Sequence, residues 1–179
     1  MTAGLWLLLL AGALPPGGAG DPCRLLNRQE VGEVAGGRVA ETKATRRNAG
    51  ELEISACFYR AEQFQDSVSL EITRGAAGSG HGARRHWEAV FHPSAEQEGE
   101  GEREQAAAVS EEREREKESP PRPVEGVGDE AFWISNPASG ALYVRKADAY
   151  IRISVGGAAD EAVKLRRATE LARKALKRL

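Results

Sequence analysis

Alternating apolar and polar positions mark the clearest pair of strands in this chain. They span Leu142–Lys146 and Ala149–Val155. A two-residue turn between them would set Val144 opposite Ile151, so that apolar side chains share one face. Ala147 suits such a turn poorly, because the turn favours residues that readily adopt a positive φ. The pattern therefore predicts an antiparallel hairpin with one face in the core.

A second strand pair is predicted over 52–60 and 68–73, where apolar residues again alternate with polar ones. Pairing Phe58 with Leu70 would keep the more apolar faces of the two strands together. This register places Cys57 on the less apolar face. A further strand is expected over 129–134, followed by a turn over 136–140.

Three segments have the spacing of amphipathic helices, at 27–37, 83–91 and about 159–178. The first begins with Asn27, and Glu30 follows at the spacing of a capping box. Two strand-rich units are each followed by a helix, which forms a weak internal repeat. We predict an α+β fold, with an antiparallel sheet that carries its helices on one face and one domain over 21–179.

The first twenty residues have the pattern of a cleavable signal peptide. Leu5–Leu14 is an apolar run too short to span a bilayer, and small residues follow it up to Gly20. Cleavage is expected after Gly20, although no Lys or Arg precedes Leu5. The alternative is a buried N-terminal strand or helix. The mature protein is expected to have no transmembrane span.

Cys23 and Cys57 are the two cysteines of the chain. In an oxidising compartment they are expected to form a disulfide, and two buried free thiols are the alternative. Pro22 precedes Cys23, whereas a lipidated cysteine follows a small residue. The prediction is therefore a secreted or periplasmic protein, with lipid anchoring less favoured.

A Glu-rich insert interrupts the domain at about 95–123. Ten Glu and four Lys or Arg lie between Glu96 and Glu118, with hardly any large apolar residue. Such a segment has no face to bury, so it is either a solvated helix or disordered.

Composition and motifs exclude several functions. A formal net charge of −2 gives no reason to expect nucleic-acid binding. The glycine-rich segment 75–82 lacks the Gly-Lys-Ser/Thr of a phosphate-binding loop. The three histidines have no metal-ligand spacing, and we expect no metal, no cofactor and no catalytic residues.

Several motifs resemble a family of exported bacterial proteins of unknown function. Its members begin Asp-Pro-Cys-x-Leu-Leu-Thr, and this chain has Asp-Pro-Cys-Arg-Leu-Leu-Asn over 21–27. The segments 57–59, 126–133 and 142–146 also match. The resemblance implies a secreted or envelope-attached domain, similar in architecture to the extracellular sensor domain of mycobacterial serine/threonine kinases. Asn27 for Thr, Ala147 for Gly and the missing lipidation motif depart from the pattern.

One surface of the predicted hairpin is a candidate ligand or partner site. Strand alternation places four side chains on the face opposite the core: Tyr143, Arg145, Tyr150 and Arg152. Tyrosine and arginine are favoured at binding interfaces, and guanidinium groups suit carboxylate or phosphate ligands. The alternative is that these residues only cover an exposed sheet face.

The predicted function is therefore an exported, non-enzymatic binding or sensor-like module. Its partner would be an unknown envelope protein or polymer, and the protein is expected to be a monomer. Two other hypotheses remain: an envelope enzyme with a shallow, unrecognised site, and a structural protein–protein partner that uses its charged surfaces.

Overall fold

Seven antiparallel strands form one sheet in the computed structural model, which describes residues 21–93, 120–135 and 140–179. The strand order is β1-β2-β3-β7-β6-β5-β4. The strands are β1 (Val39–Ala49), β2 (Leu52–Ala61), β3 (Val68–Gly75), β4 (Arg122–Pro123), β5 (Glu130–Ser135), β6 (Gly140–Lys146) and β7 (Ala149–Val155). The described helices are α1 (Arg28–Ala35), α2 (Gly82–Phe91) and α3 (Glu161–Leu176), with short 3₁₀ segments at Pro22–Arg24 and Phe64–Asp66. The predicted α+β class and antiparallel sheet are confirmed.

Some predictions fall on other parts of the chain. The signal peptide at 1–20, the Glu-rich insert up to residue 119 and residues 136–139 of the predicted turn lie outside the described residues. The internal repeat stays a prediction.

Helix α1 starts as its sequence predicts. The Asn27 side chain accepts a hydrogen bond from the Glu30 backbone N–H at 2.8 Å, and the Glu30 carboxylate accepts from the Asn27 backbone N–H at 3.0 Å. This capping box satisfies backbone donors that have no partner within the helix. Gly36 ends the helix in the left-handed conformation, with φ of 82°.

The main core lies between one face of the sheet and helices α1 and α3. Alanines at 168, 172 and 175 allow α3 to approach the sheet closely, and Leu171 is fully buried among them. Fully buried strand residues of this core include Val68, Leu70, Leu142, Val144, Ile151 and Ile153. At about 1.5–3 kcal/mol for each large side chain, this burial is the principal stabilising contribution.

Helix α2 lies on the opposite face, so the prediction that the helices occupy one face is wrong for this helix. Trp87 is fully buried against Leu52, Ile54 and Tyr150. These strand residues point away from the main core. The sheet therefore has a second, smaller apolar cluster beneath α2.

The predicted register of β2 and β3 is wrong by one residue. Cys57 pairs with Leu70, and Phe58 pairs with Ser69. Cys57 and Tyr59 are buried in the main core, whereas Phe58 is only half-buried on the other face. Since β2 carries apolar residues on both faces, alternation alone did not identify the face that meets the larger core.

The predicted Cys23–Cys57 disulfide is present, with the two Cα atoms 5.0 Å apart. The N-terminal 3₁₀ segment crosses the main core face of β2, which brings Cys23 to Cys57. Both cysteines are therefore used in the bridge.

The β6–β7 hairpin has the predicted register. Val144 pairs with Ile151 and Lys146 with Ala149, so the turn has two residues. Ala147 adopts φ of 52°, the positive value that this turn requires. Its backbone N–H donates to the Asp129 carboxylate at 2.7 Å, which helps to hold the turn.

Strand β1 was not predicted. It is an edge strand of eleven residues, and nearly all of them are exposed. Its composition is polar and charged on both faces, as is common for edge strands that must not pair with other chains. It therefore shows no alternation in the sequence.

Candidate binding face beneath and beside helix α2

The four residues predicted to form a surface lie together on one face of β6 and β7. We call Tyr143, Arg145, Tyr150 and Arg152 the tyrosine–arginine face. Tyr143 is opposite Arg152 and Arg145 is opposite Tyr150, as the sequence predicts. This is the face on which α2 packs, and α2 divides the four residues into two groups.

Tyr150 lies beneath α2 and is only 7% exposed. Its ring is 5.5 Å from that of Trp87 and stacks on that of His86, with centroids 5.9 Å apart. Burial raises the pKa of Tyr150 and lowers the pKa of His86. Both groups are therefore neutral at neutral pH, and the Tyr150 hydroxyl can donate to Nδ1 of His86 at 3.0 Å. Tyr150 thus helps to hold α2 on the sheet.

Arg145 belongs to a polar cluster at the C-terminal end of α2. Its guanidinium lies 3.5 Å from the Asp129 carboxylate and 3.6 Å from the Glu130 carboxylate, and its side chain is 18% exposed. Glu130 also accepts a 2.6 Å hydrogen bond from Nε1 of Trp87 and contacts Nε2 of His92 at 2.7 Å. This arrangement connects α2 to β5 and β6.

The charge state of this cluster is set by opposing effects on Glu130. Burial alone raises the pKa of this carboxyl, but hydrogen bonds from Trp87 and His92 and the nearby positive charges lower it below its usual value. Glu130 is therefore ionised at neutral pH. Since the described partners of Glu130 are Trp87, His92 and Arg145, the cluster acts as an anchor for α2.

Tyr143 and Arg152 form the part of the tyrosine–arginine face that stays accessible. Both side chains are half-buried. Nε of Arg152 donates to the Tyr143 hydroxyl at 3.0 Å, and its guanidinium carbon lies 5.7 Å from the Tyr143 ring centre. The pair presents an aromatic surface next to a guanidinium with unused donors.

Phe91 and Phe132 extend this surface, and the sequence reasoning missed them. Phe91 meets Tyr143 edge-on at 5.4 Å and stacks on Phe132 at 4.7 Å. The i, i+4 spacing of Trp87 and Phe91 predicted an apolar helix face, but not the sheet face that it contacts. Phe91, Tyr143 and Arg152 therefore define the candidate site.

Within 21–93, 120–135 and 140–179, no group of three His, Cys, Asp or Glu side chains could hold a metal ion. In those same ranges no helix combines the length and the apolar character needed to cross a bilayer.

Comparison with protein-family models, curated proteins and solved structures finds no match. The resemblance to exported bacterial proteins and to kinase sensor domains therefore stays a prediction from the motifs.

Proposed function

We propose that this protein is an exported, non-enzymatic binding or sensor-like module that contacts its ligand through Phe91, Tyr143 and Arg152. The observation that supports this proposal is the Arg152–Tyr143 pair. It stays partly exposed while the other two members of the tyrosine–arginine face are held beneath or beside α2. An aromatic surface next to an arginine is a combination favoured at interfaces.

The chemistry of the site favours an envelope polymer that bears carboxylate or phosphate groups. The Arg152 guanidinium uses Nε on Tyr143, which leaves its outer N–H groups for an oxyanion. The edges of Phe91 and Tyr143 offer apolar contact to a sugar ring or a peptide. An envelope protein with an acidic segment is the second kind of partner.

Two features support an extracytoplasmic location for the proposed module. The Cys23–Cys57 disulfide is typical of oxidising compartments, and the leader pattern at 1–20 predicts export. We propose a secreted or periplasmic protein that acts as a monomer.

Binding to isolated bacterial cell wall tests the proposed function. The full chain is incubated with washed cell wall, and the fraction that sediments is measured against protein concentration. Arg152→Ser should weaken binding at least several-fold, because it removes a charge-assisted contact of about 1.5–3 kcal/mol. Arg38→Ser is the matched control, since Arg38 is an exposed arginine whose ion pair with Glu62 lies at the α1–β1 connection.

Three results of this experiment would contradict or change the proposal. Equal sedimentation of Arg152→Ser and the parent chain would refute the site. Binding only to an envelope protein fraction would show that the partner is an envelope protein and not a polymer. Release of soluble wall fragments during incubation would favour the enzyme hypothesis.

Arg145→Ser should lower the melting temperature of the protein, because it leaves Asp129 and Glu130 without their shared cation.

A further inference from the structure

A crevice of about 370 Å³ opens at one end of the sheet, on the main core side. The N-terminal 3₁₀ segment, the end of β3 and the residues after α3 line it. Its apolar walls are Leu25, Ile72 and Leu179. A second crevice, of about 500 Å³, lies beside it and shares Arg74 and Leu179. The N-terminal 3₁₀ segment, the end of β3 and the residues after α3 thus meet around Arg74.

Arg74 is a half-buried cation that donates no hydrogen bond to a described residue, although Glu53 lies opposite it on β2 and attracts it. It follows Ile72 by two residues on β3, so its side chain lies on the main core side and away from the tyrosine–arginine face. Within the described part of the chain it makes no hydrogen bond and no ion pair. Burial lowers the pKa of this guanidinium, and the nearby Glu53 carboxylate opposes that effect only in part.

The neighbouring charged groups leave the Arg74 guanidinium donors open. Arg178 is already neutralised, because its guanidinium donates to both carboxylate oxygens of Glu30 at 2.6 and 2.8 Å. Arg24 also lines the crevice and is exposed, and Asp21 supplies one negative charge there. The Glu53 carboxylate opposite Arg74 lies 3.6 Å from the Arg46 guanidinium and makes no ion pair with Arg74, so the Arg74 donors stay open to a carboxylate.

We propose that this crevice binds a small organic carboxylate, with its carboxylate on Arg74 and its apolar part against Leu25, Ile72 and Leu179. The planar guanidinium fork matches a carboxylate with two parallel hydrogen bonds. Polar groups that converge beside an apolar wall are what a small-molecule site uses to orient its ligand. Because Arg74 and Arg152 lie on opposite faces of the sheet, this site is independent of the function proposed above.

Titration with hexanoate tests the proposal. The full chain is labelled with ¹⁵N and ¹³C, and NMR shifts are followed as hexanoate is added. Shifts should be confined to the Arg74 guanidinium and the side chains of Leu25, Ile72 and Leu179. Hexanol, which lacks the charge, and inorganic phosphate, which lacks the apolar part, should bind at least about tenfold more weakly.

Two variants separate binding from structure. Arg74→Gln should weaken hexanoate binding by about tenfold to a hundredfold, while its melting temperature stays equal or rises, since a half-buried cation that donates no hydrogen bond is removed. The hexanoate affinity of Arg74→Lys should lie between those of the parent chain and Arg74→Gln, because lysine keeps the charge but lacks the planar guanidinium fork. Arg38→Gln is the control and should bind like the parent chain.

Several results would overturn the proposal. These are the absence of hexanoate shifts at Leu25 and Ile72, an equal response to phosphate, and equal binding by Arg74→Gln. A large fall in the melting temperature of Arg74→Gln would show that Arg74 is a structural residue, and this would also overturn it.

Discussion

Glu30 connects the beginning of the domain to its last helix, and its replacement by Gln should have a pH-dependent effect on stability. Its carboxylate caps α1 through the Asn27 N–H and pairs with the Arg178 guanidinium. The hydrogen bonds from Arg178, followed by the backbone bond from Asn27, lower the pKa of Glu30 from 4.5 to about 2. The charged form is therefore favoured in the folded protein.

The size of the effect follows from this shift in pKa. Each tenfold change in proton affinity corresponds to about 1.4 kcal/mol, which would give about 3 kcal/mol for a fully shielded group. The side chain of Glu30 is 17% exposed and that of Arg178 is 41% exposed. Solvent screening of such a pair reduces the expected contribution to about 1–2 kcal/mol.

Urea unfolding of the parent chain and Glu30→Gln at pH 7, 4.5, 3 and 2 measures this contribution. Gln can still accept from the Asn27 N–H, so the comparison measures the loss of the charged, two-oxygen contact with Arg178. The pKa is lowered on folding, so the stabilisation is present above the unfolded value of 4.5. It is lost as the pH falls towards about 2. The free energy of unfolding of the parent chain should exceed that of the variant by about 1–2 kcal/mol at pH 7, and the two should match near pH 2.

A difference that stays constant from pH 7 to pH 2 would refute this reasoning. Glu33→Gln is the control, because Glu33 lies on the same helix and accepts only from Gln29 among the hydrogen bonds described. Its effect at pH 7 should be small.

Two further substitutions test the disulfide and the hairpin turn. Replacing Cys23 and Cys57 together by Ala should destabilise the protein by about 3.5–4 kcal/mol, because the bridge closes a loop with a sequence separation of 34. Chemical unfolding measures this, and a loss below about 1 kcal/mol would contradict the loop-entropy argument. Ala147→Gly should stabilise by about 0.5–1 kcal/mol, because relief of the positive φ exceeds the entropy that glycine adds. Ala77→Gly, at a loop position without positive φ, should not stabilise, and equal melting temperatures for the two variants would count against this explanation.

Local features of the fold could be predicted from the sequence. The capping box of α1 depends on residues three apart, and the β6–β7 register depends on a two-residue turn between alternating strands. In both cases the determining contacts are close in sequence. The α+β class follows from the order of these local elements.

Features that depend on distant contacts could not be predicted. The β2–β3 register is ambiguous in sequence because β2 has apolar residues on both faces, one set for the main core and one for α2. The face occupied by α2 is decided by contacts such as Trp87 with Glu130 and His86 with Tyr150, which are 43 and 64 residues apart.

The candidate sites also depend on contacts between residues that are distant in sequence. Alternation correctly grouped Tyr143, Arg145, Tyr150 and Arg152 on one face, but only the structure shows that α2 covers Tyr150 and is anchored near Arg145. The Arg74 crevice was not predicted, because residues near 25, 74 and 179 line it together.

The packing of α1 against α3 has a consequence for the order of folding. Arg178 donates to the Leu25 carbonyl across 153 positions of sequence, and the two helices close the same core. Contacts of such long range form late, because the chain must first lose the entropy of closing a large loop. A nascent chain that still lacks its last helix would expose the apolar side of β3, and it would depend on a chaperone or on delayed folding until synthesis reaches residue 178.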